Sequence, residues 1–188
     1  MKNYLKLLIF LSLAICFFVN KTIAQNEPPK DIESSIGIGG GLDYGGLGIN
    51  YLMYPDNHLG AFLGLGYNIL GLGYNAGLKY RFNKENHKPH TTSFYALAMF
   101  GYNAALKVTT YDPYSGNNSV FQKVYYGPSV GLGFERRRSQ YKKGYWSFAL
   151  LVPFRTSEYQ KNIDDFKSKG ISLNPIPLSI SIGYRYFL

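Results

Sequence analysis

Bulky apolar residues alternate with small or polar residues along most of the chain after residue 33. Near the C-terminal end of this pattern, Trp146, Phe148 and Leu150 share one parity, while Ser147 and Ala149 share the other. A period of two predicts β-strands with two unlike faces. Turn residues rich in Gly, Asn, Asp and Pro separate the alternating runs. The predicted strands are 34–44, 46–54, 59–69, 73–83, 93–109, 120–136, 145–156 and 176–188.

The apolar parity is too bulky for the inside of a small barrel. The interior of an eight-stranded barrel is only just wide enough for side chains to fill. We therefore expect the small and polar residues to face inward and the apolar residues to face lipid. The prediction is an all-β fold, an eight-stranded antiparallel up-and-down transmembrane β-barrel over residues 34–188. The alternative is a soluble, lipocalin-like barrel with its apolar face inward.

The first 24 residues have the features of a secretory signal peptide. Lys2 and Lys6 precede an apolar stretch over residues 7–19, which is shorter than the roughly 20 residues of a membrane-spanning helix. Thr22 and Ala24 supply small residues for cleavage after position 24. We expect residues 1–24 to be removed and residues 25–33 to form a flexible periplasmic lead-in. A retained membrane anchor is the alternative.

The C-terminal residues resemble the assembly signal of bacterial outer-membrane barrels. Ser181, Gly183, Tyr186 and Leu188 fill its four positions, although the usual last residue is Phe. The chain as a whole resembles the small eight-stranded outer-membrane barrels, specifically the single-domain barrel family of Bacteroidetes-type bacteria. This resemblance implies export to the outer membrane and contact with the barrel-assembly machinery. It also implies surroundings of outer-membrane lipid and lipopolysaccharide.

An even number of strands places both ends of the barrel chain on one side, which in this class is the periplasm. The long connections at residues 110–119 and 157–174 then lie outside the cell and are predicted to be polar loops. A basic cluster over residues 136–143 falls at a periplasmic turn. It could be a nucleic-acid patch, but export favours a solvated turn, so no nucleic-acid partner is expected.

Charged residues on the inward faces are the main candidates for a functional site. An isolated charge in a narrow lumen is costly, so pairing is expected. Glu135 should pair with Lys79, Arg81 or Arg185 near the periplasmic end, and Asp43 with Arg155 or Lys107 near the outer end. Such a network could be a polar plug that fixes the strand register, or the lining of a narrow path for anions. The predicted lumen network is Asp43, Lys79, Arg81, Lys107, Glu135, Arg155 and Arg185.

Catalytic, metal and nucleotide sites are poorly supported. Barrel enzymes that act on lipid A or phospholipid need a nucleophile, a histidine and an acid together at the outer edge of the membrane. His58, His87 and His90 all fall in predicted periplasmic turns instead, and no third metal ligand is near His87 and His90. The glycine-rich strings at 37–41 and 64–66 lack the strand-to-helix context of a phosphate-binding loop. They are better explained as small lumen residues in curved strands. No cofactor or enzymatic activity is expected.

Cys16 is the chain's single cysteine and lies in the predicted signal peptide, so the mature chain should have no disulfide. The expected function is non-enzymatic: an envelope-structural, adhesion or secretion-assembly role, mediated by surface loops that bind a secretion complex or a surface partner. A narrow charge-lined pore is the alternative.

Overall fold

The computed structural model describes residues 33–68, 70–83, 92–111, 118–137 and 143–188. The predicted signal peptide and all but the last residue of the predicted lead-in lie outside these residues. The strands are β1 Glu33–Gly41, β2 Gly46–Tyr54, β3 Leu59–Asn68, β4 Gly71–Arg81, β5 Thr92–Tyr111, β6 Asn118–Arg137, β7 Gly144–Pro153 and β8 Ser179–Phe187. A 3-10 turn, Leu42–Tyr44, and one α-helix, α1 Ser157–Ser168, complete the described elements.

The eight strands form one closed antiparallel barrel. Each strand pairs with its neighbour in the chain, and β1 closes the barrel against β8 from Ser35↔Phe187 to Gly40↔Ile182. This closure confirms the predicted eight-stranded up-and-down fold. The end of the barrel where β1 begins and β8 ends is called the lower rim here. The opposite end, which holds the Leu42–Tyr44 turn, is the upper rim.

The outer face of the barrel carries the apolar parity, as the alternation predicted. Leu63, Leu65 and Leu132 are all exposed on it. Aromatic residues flank this aliphatic middle on both sides. Toward the upper rim they include Tyr67, Tyr74, Phe100, Tyr126 and Phe154, and toward the lower rim Tyr80, Phe82, Phe94, Trp146 and Tyr184.

The hairpin of β5 and β6 projects beyond the upper rim. β4 pairs with β5 only up to Gly101, and β7 pairs with β6 only up to Ser129. Beyond these points β5 and β6 pair only with each other, as far as Tyr111↔Asn118. The register shifts between Tyr102 and Ala104, which leaves Asn103 as an extra residue in a β-bulge. The inward parity of β5 therefore changes from odd to even numbers at this point.

The prediction of a polar loop over residues 157–174 is wrong for the first two thirds of that segment, because residues 157–168 form α1. The Thr156 side chain accepts a hydrogen bond from the Tyr159 amide and caps the helix. Tyr159, Ile163 and Phe166 are buried at helical spacing, although polar residues surround them in the sequence. No helix among the described residues is long and apolar enough to cross a membrane.

Candidate functional site

A buried ion-pair cluster lies in the lower half of the lumen. Lys79 Nζ and Arg81 Nη2 each lie 2.9 Å from a different carboxylate oxygen of Glu135. All three residues are at most 5% exposed. The structure thus brings together three of the predicted lumen residues. Arg81 also lies 3.2 Å from Glu33 Oε1, although Glu33 was predicted to belong to the flexible lead-in.

Aromatic rings cover the two cations of this cluster. Lys79 Nζ is 3.8 Å from the ring centre of Tyr95, and Arg81 Cζ is 3.9 Å from that of Tyr54. Both geometries are those of cation–π contacts. Apolar and aromatic side chains form a buried cluster in the lumen around them. This lumen core consists of Leu42, Leu52, Tyr54, Phe62, Tyr95, Leu97, Met99, Ala149 and Leu151.

Arg185 does not hydrogen-bond to Glu135, which was one of its predicted partners. Its guanidinium instead donates to Asn50 Oδ1, with Nη1 at 3.0 Å and Nη2 at 2.5 Å. The two carboxylate oxygens of Glu135 already accept from Lys79 and Arg81. An uncharged amide oxygen in the lumen therefore takes the place of the expected acid. Sequence reasoning missed Asn50, whose inward parity on β2 was its only signal.

The 3-10 turn Leu42–Tyr44, called the inserted turn, folds into the upper half of the lumen. Asn50 Nδ2 donates to the Asp43 carbonyl at 2.6 Å, and Asn75 Nδ2 donates to the Leu42 carbonyl. Residues 42–44 are all buried. Gly45 follows in the left-handed conformation, with φ of 71°, and ends the turn. The prediction that strand one continues to residue 44 is therefore wrong at its end.

The lumen glycines make room for the inserted turn. A Cβ atom at Gly64 would collide with the Asp43 carbonyl oxygen, and one at Gly66 would collide with that of Tyr44. Gly64 and Gly66 thus line the lumen, and the inserted turn explains why no larger residue fits at these two positions.

The predicted upper pairing of Asp43 with Lys107 or Arg155 does not form. Asp43 is buried in the inserted turn, whereas Lys107 is exposed on the outer side of the projecting hairpin. The bulge at Asn103 explains the error, because it reverses the parity by which Lys107 was expected to face inward. Arg155 is half-buried and donates to the Tyr159 hydroxyl and to the Ile176 carbonyl at 2.6 Å.

Above the upper rim, a second hydrophobic cluster joins hairpin residues 102–111 and 118–128 to α1. We call it the cap. The rings of Tyr125 and Tyr159 meet edge-on at 5.0 Å, and those of Phe121 and Phe166 at 5.1 Å. Asn162 donates to the Tyr125 hydroxyl at 2.7 Å. The buried residues of the cap are Ala104, Leu106, Val108, Tyr125, Tyr159, Ile163 and Phe166.

A surface ion pair also joins the two parts of the cap. Lys123 Nζ lies 2.6 Å from Glu158 Oε1. The hydrogen bond that Lys123 donates to this carboxylate holds the pKa of Lys123 above its ordinary value. Glu158 lies in the first turn of α1, where a negative charge also interacts favourably with the helix dipole.

The structure gives His58 a structural contact. Its Nδ1 lies 2.8 Å from the Arg81 carbonyl oxygen at the lower rim, and its ring stacks on Tyr80. His87 and His90 lie outside the described residues. Within the described ranges, no three side chains of His, Cys, Asp or Glu are grouped to hold a metal ion.

The four residues of the predicted assembly signal divide between the two faces of β8 and its end. Ser181 and Gly183 face inward and are buried, while Tyr186 and Leu188 are exposed. The terminal backbone is held in place, because Leu188 N donates to the Ser34 carbonyl at 3.0 Å. Recognition of these residues by an assembly machinery stays a prediction.

No family model and no curated protein matches the chain. Two solved structures are similar in fold. The N-terminal β-barrel domain of OprF from Pseudomonas aeruginosa is 10% identical, with a TM-score of 0.46, and the match covers 83% of this chain and 97% of that one. Ail of Yersinia pestis, solved in complex with the heparin analogue sucrose octasulfate, is 14% identical, with a TM-score of 0.43, and the match covers 85% of this chain and 100% of that one.

Proposed function

We propose that this chain is an integral outer-membrane β-barrel with a closed lumen, and that it presents its cap at the cell surface. Its role is non-enzymatic: the barrel anchors the cap, and the cap binds a surface partner or a component of a secretion assembly. The observation that carries this proposal is the hydrophobic core of the cap, in which Ile163 is only 2% exposed. A segment with its own core has a fixed shape, which supports a role as a binding surface rather than as a solvated loop.

The outer wall supports a position within a membrane. On β6, Tyr126 and Phe134 are eight residues apart and flank Val130 and Leu132 on the outer face. At about 3.3 Å per residue and a tilt of about 40°, eight residues span about 20 Å along the barrel axis. This height is close to the roughly 25 Å apolar band of outer-membrane barrels, which aromatic girdles flank. In water, such a band would be a strong aggregation hazard.

The even strand number supports the orientation. Both Glu33 and Phe187 lie at the lower rim, which we place on the periplasmic side. The cap then lies on the extracellular side, where outer-membrane barrels carry their long connections.

The alternative of a charge-lined pore receives little support from the geometry. The Lys79–Glu135–Arg81 cluster and its aromatic cover lie in the lower lumen, and the inserted turn lies in the upper lumen. Ions would have to displace both. The predicted lumen network is also split, because Lys107 is exposed and Arg155 contacts α1. We therefore propose that the lower part of the network fixes the register of the barrel.

The test compares the full chain with a variant in which residues 157–168 are replaced by a Gly-Ser linker. Both proteins are expressed in the native host and purified from the outer membrane after mild cross-linking. We expect both to fractionate with the outer membrane and to migrate as folded barrels in unheated gels. Only the full chain should recover a stoichiometric surface or secretion partner.

A control variant, Ile176→Ser, changes an exposed residue beyond the helix and should retain the partner. If the linker variant recovers the same partner as the full chain, the cap is not the binding surface. If neither protein reaches the outer membrane, the proposed location is wrong.

A further inference from the structure

We propose that the outer wall near the lower rim binds one phospholipid of the periplasmic leaflet. An acyl chain would lie in a groove over Ala96 and Ala98, and the lipid phosphate would bind Arg136. This proposal rests on the proposed membrane location of the barrel. It adds a defined lipid site to a wall that would otherwise only contact lipid in general.

The groove is a depression of about 610 Å³ on the outer face of β3 to β7. Ala96 pairs with Tyr80 on one side and Leu132 on the other, so a small side chain lies between two large ones. Ala98 lies in the same way between Leu78 and Val130. The complete lining is Leu59, Leu78, Tyr80, Ala96, Leu97, Ala98, Val130, Gly131, Leu132, Leu150 and Val152.

A row of phenylalanines lies between the groove and the lower rim. Phe94, Phe134 and Phe148 are direct cross-strand partners on β5, β6 and β7. The rings of Phe134 and Phe148 stack at 4.9 Å, and those of Phe94 and Phe134 lie 6.4 Å apart. Aromatic residues at this depth favour the boundary between acyl chains and headgroups.

One step nearer the lower rim, Arg136 is exposed and pairs in register with Thr92 and Trp146. Trp146 pairs in turn with Tyr184, and their rings meet edge-on at 5.3 Å. A guanidinium presents a planar fork of donors that matches a phosphate. Trp and Tyr beside it place an apolar body and a polar tip at the same interface.

The distances fit one lipid leaflet. Arg136 lies four residues from Leu132 on β6 and six from Val130. At about 3.3 Å per residue and a tilt of about 40°, these steps correspond to about 10 and 15 Å along the membrane normal. Half of the hydrocarbon core is about 15 Å thick. The groove therefore lies within the leaflet whose headgroups Arg136 reaches.

Charge favours a phospholipid over a second copy of the chain. The groove lining contains no acidic residue, so it offers Arg136 no partner from an identical wall. A two-fold axis along the membrane normal would also bring two Arg136 side chains to the same depth. A phosphate at the end of an acyl chain complements both parts of the site at once.

Trp146 is the single tryptophan of the chain and lies beside Arg136, so its fluorescence reports on the site. The mature protein is reconstituted in phosphatidylcholine vesicles with an increasing fraction of phosphatidylglycerol that carries brominated acyl chains. Bromines quench a neighbouring indole. We expect the brominated anionic lipid to occupy the site about fivefold more than its share of the bilayer, consistent with the attraction of one arginine at an anionic surface.

Arg136→Gln should abolish this preference, and Ala98→Phe, which fills the groove, should reduce quenching by bromines at mid-chain. Lys107→Gln removes an exposed cation of the cap and should leave quenching unchanged. Equal quenching by brominated phosphatidylcholine and phosphatidylglycerol in the parent protein would overturn the proposal, as would a dimer whose groove excludes both lipids. Absence of quenching by any brominated lipid from a reconstituted protein that is monomeric would instead contradict the proposed membrane insertion.

Discussion

The ring of Tyr44 lies directly against the backbone of Gly183, so that a Cβ atom at position 183 would overlap the Tyr44 hydroxyl. This contact joins the inserted turn to the last strand of the barrel. Gly183 also occupies one position of the predicted assembly signal. The same glycine therefore has a packing requirement that is independent of any recognition by the assembly machinery.

Gly183→Ala should destabilise the barrel by about 1–3 kcal/mol, because the added methyl overpacks the site against the Tyr44 ring. The measurement is the urea midpoint of the refolded barrel in detergent micelles, monitored by the change in gel mobility between folded and unfolded forms.

The matched control is the double variant Gly183→Ala with Tyr44→Ala. Removing the Tyr44 ring relieves the overlap, so the second substitution should cost less in the Gly183→Ala background than in the parent. Additive effects in this double-mutant cycle would show that Tyr44 is not the cause of the strain.

Glu135→Gln should destabilise the barrel by about 3–5 kcal/mol, because it leaves Lys79 and Arg81 as buried cations with less counter-charge. Glu33 remains near Arg81 but is partly exposed. The unfolding midpoint in urea measures this effect under conditions where the parent refolds reversibly.

Glu158→Gln is the control for Glu135→Gln, since it weakens an ion pair of similar length that is exposed rather than buried. The pair of Glu158 with Lys123 lies at the surface of the cap. Surface ion pairs contribute little, so we expect no measurable shift in the barrel midpoint. Equal shifts for the two variants would mean that burial does not determine the importance of the lumen cluster.

Ile163→Ala should loosen the cap and leave the barrel intact. Ile163 is 2% exposed in the core of the cap, and truncation of such a residue costs about 2–5 kcal/mol of local packing. We expect faster amide hydrogen exchange in residues 157–168 and in the projecting hairpin, with unchanged exchange in the strands below the upper rim. Ile176→Ala, at a position 71% exposed, should change neither region.

The parent protein should show no steady ion conductance in planar bilayers, because the inserted turn and the Lys79–Glu135 pair occupy successive levels of the lumen. Tyr44→Ala should also conduct poorly, since the lower cluster remains in place. Reproducible single-channel currents from the parent protein would favour the pore alternative over the proposed closed anchor.

The inward-facing residues of the lower lumen could be predicted from the sequence because the alternation of faces along a strand is a local property. A strand residue's face depends only on its parity, so Lys79, Arg81 and Glu135 could be placed inside before any pairing was known. The same parity located the apolar outer wall. The pairing of Arg185 was not accessible, since cross-barrel contacts depend on the stagger of all eight strands. Nothing in the local sequence marked Asn50 as its partner.

The upper half of the molecule departed from the sequence prediction for identifiable reasons. Asn103 adds one residue to β5, and a single insertion changes the face of every later residue, including Lys107. The helix α1 was hidden because its three buried residues lie among charges and amides, a pattern that a solvated loop shares. The apolar residues of α1 are buried because they pack against the projecting hairpin, and the local sequence does not show this contact.

By itself, the sequence determined the number of strands, their antiparallel order and the side on which the apolar residues lie, because these follow from alternation and short turns. The tertiary structure alone decided that residues 42–44 fold into the lumen, that Asn50 receives Arg185, and that α1 completes a cap. These features depend on space and on partners distant in the chain. A glycine such as Gly183 becomes a constraint only when the ring of Tyr44 is placed beside it.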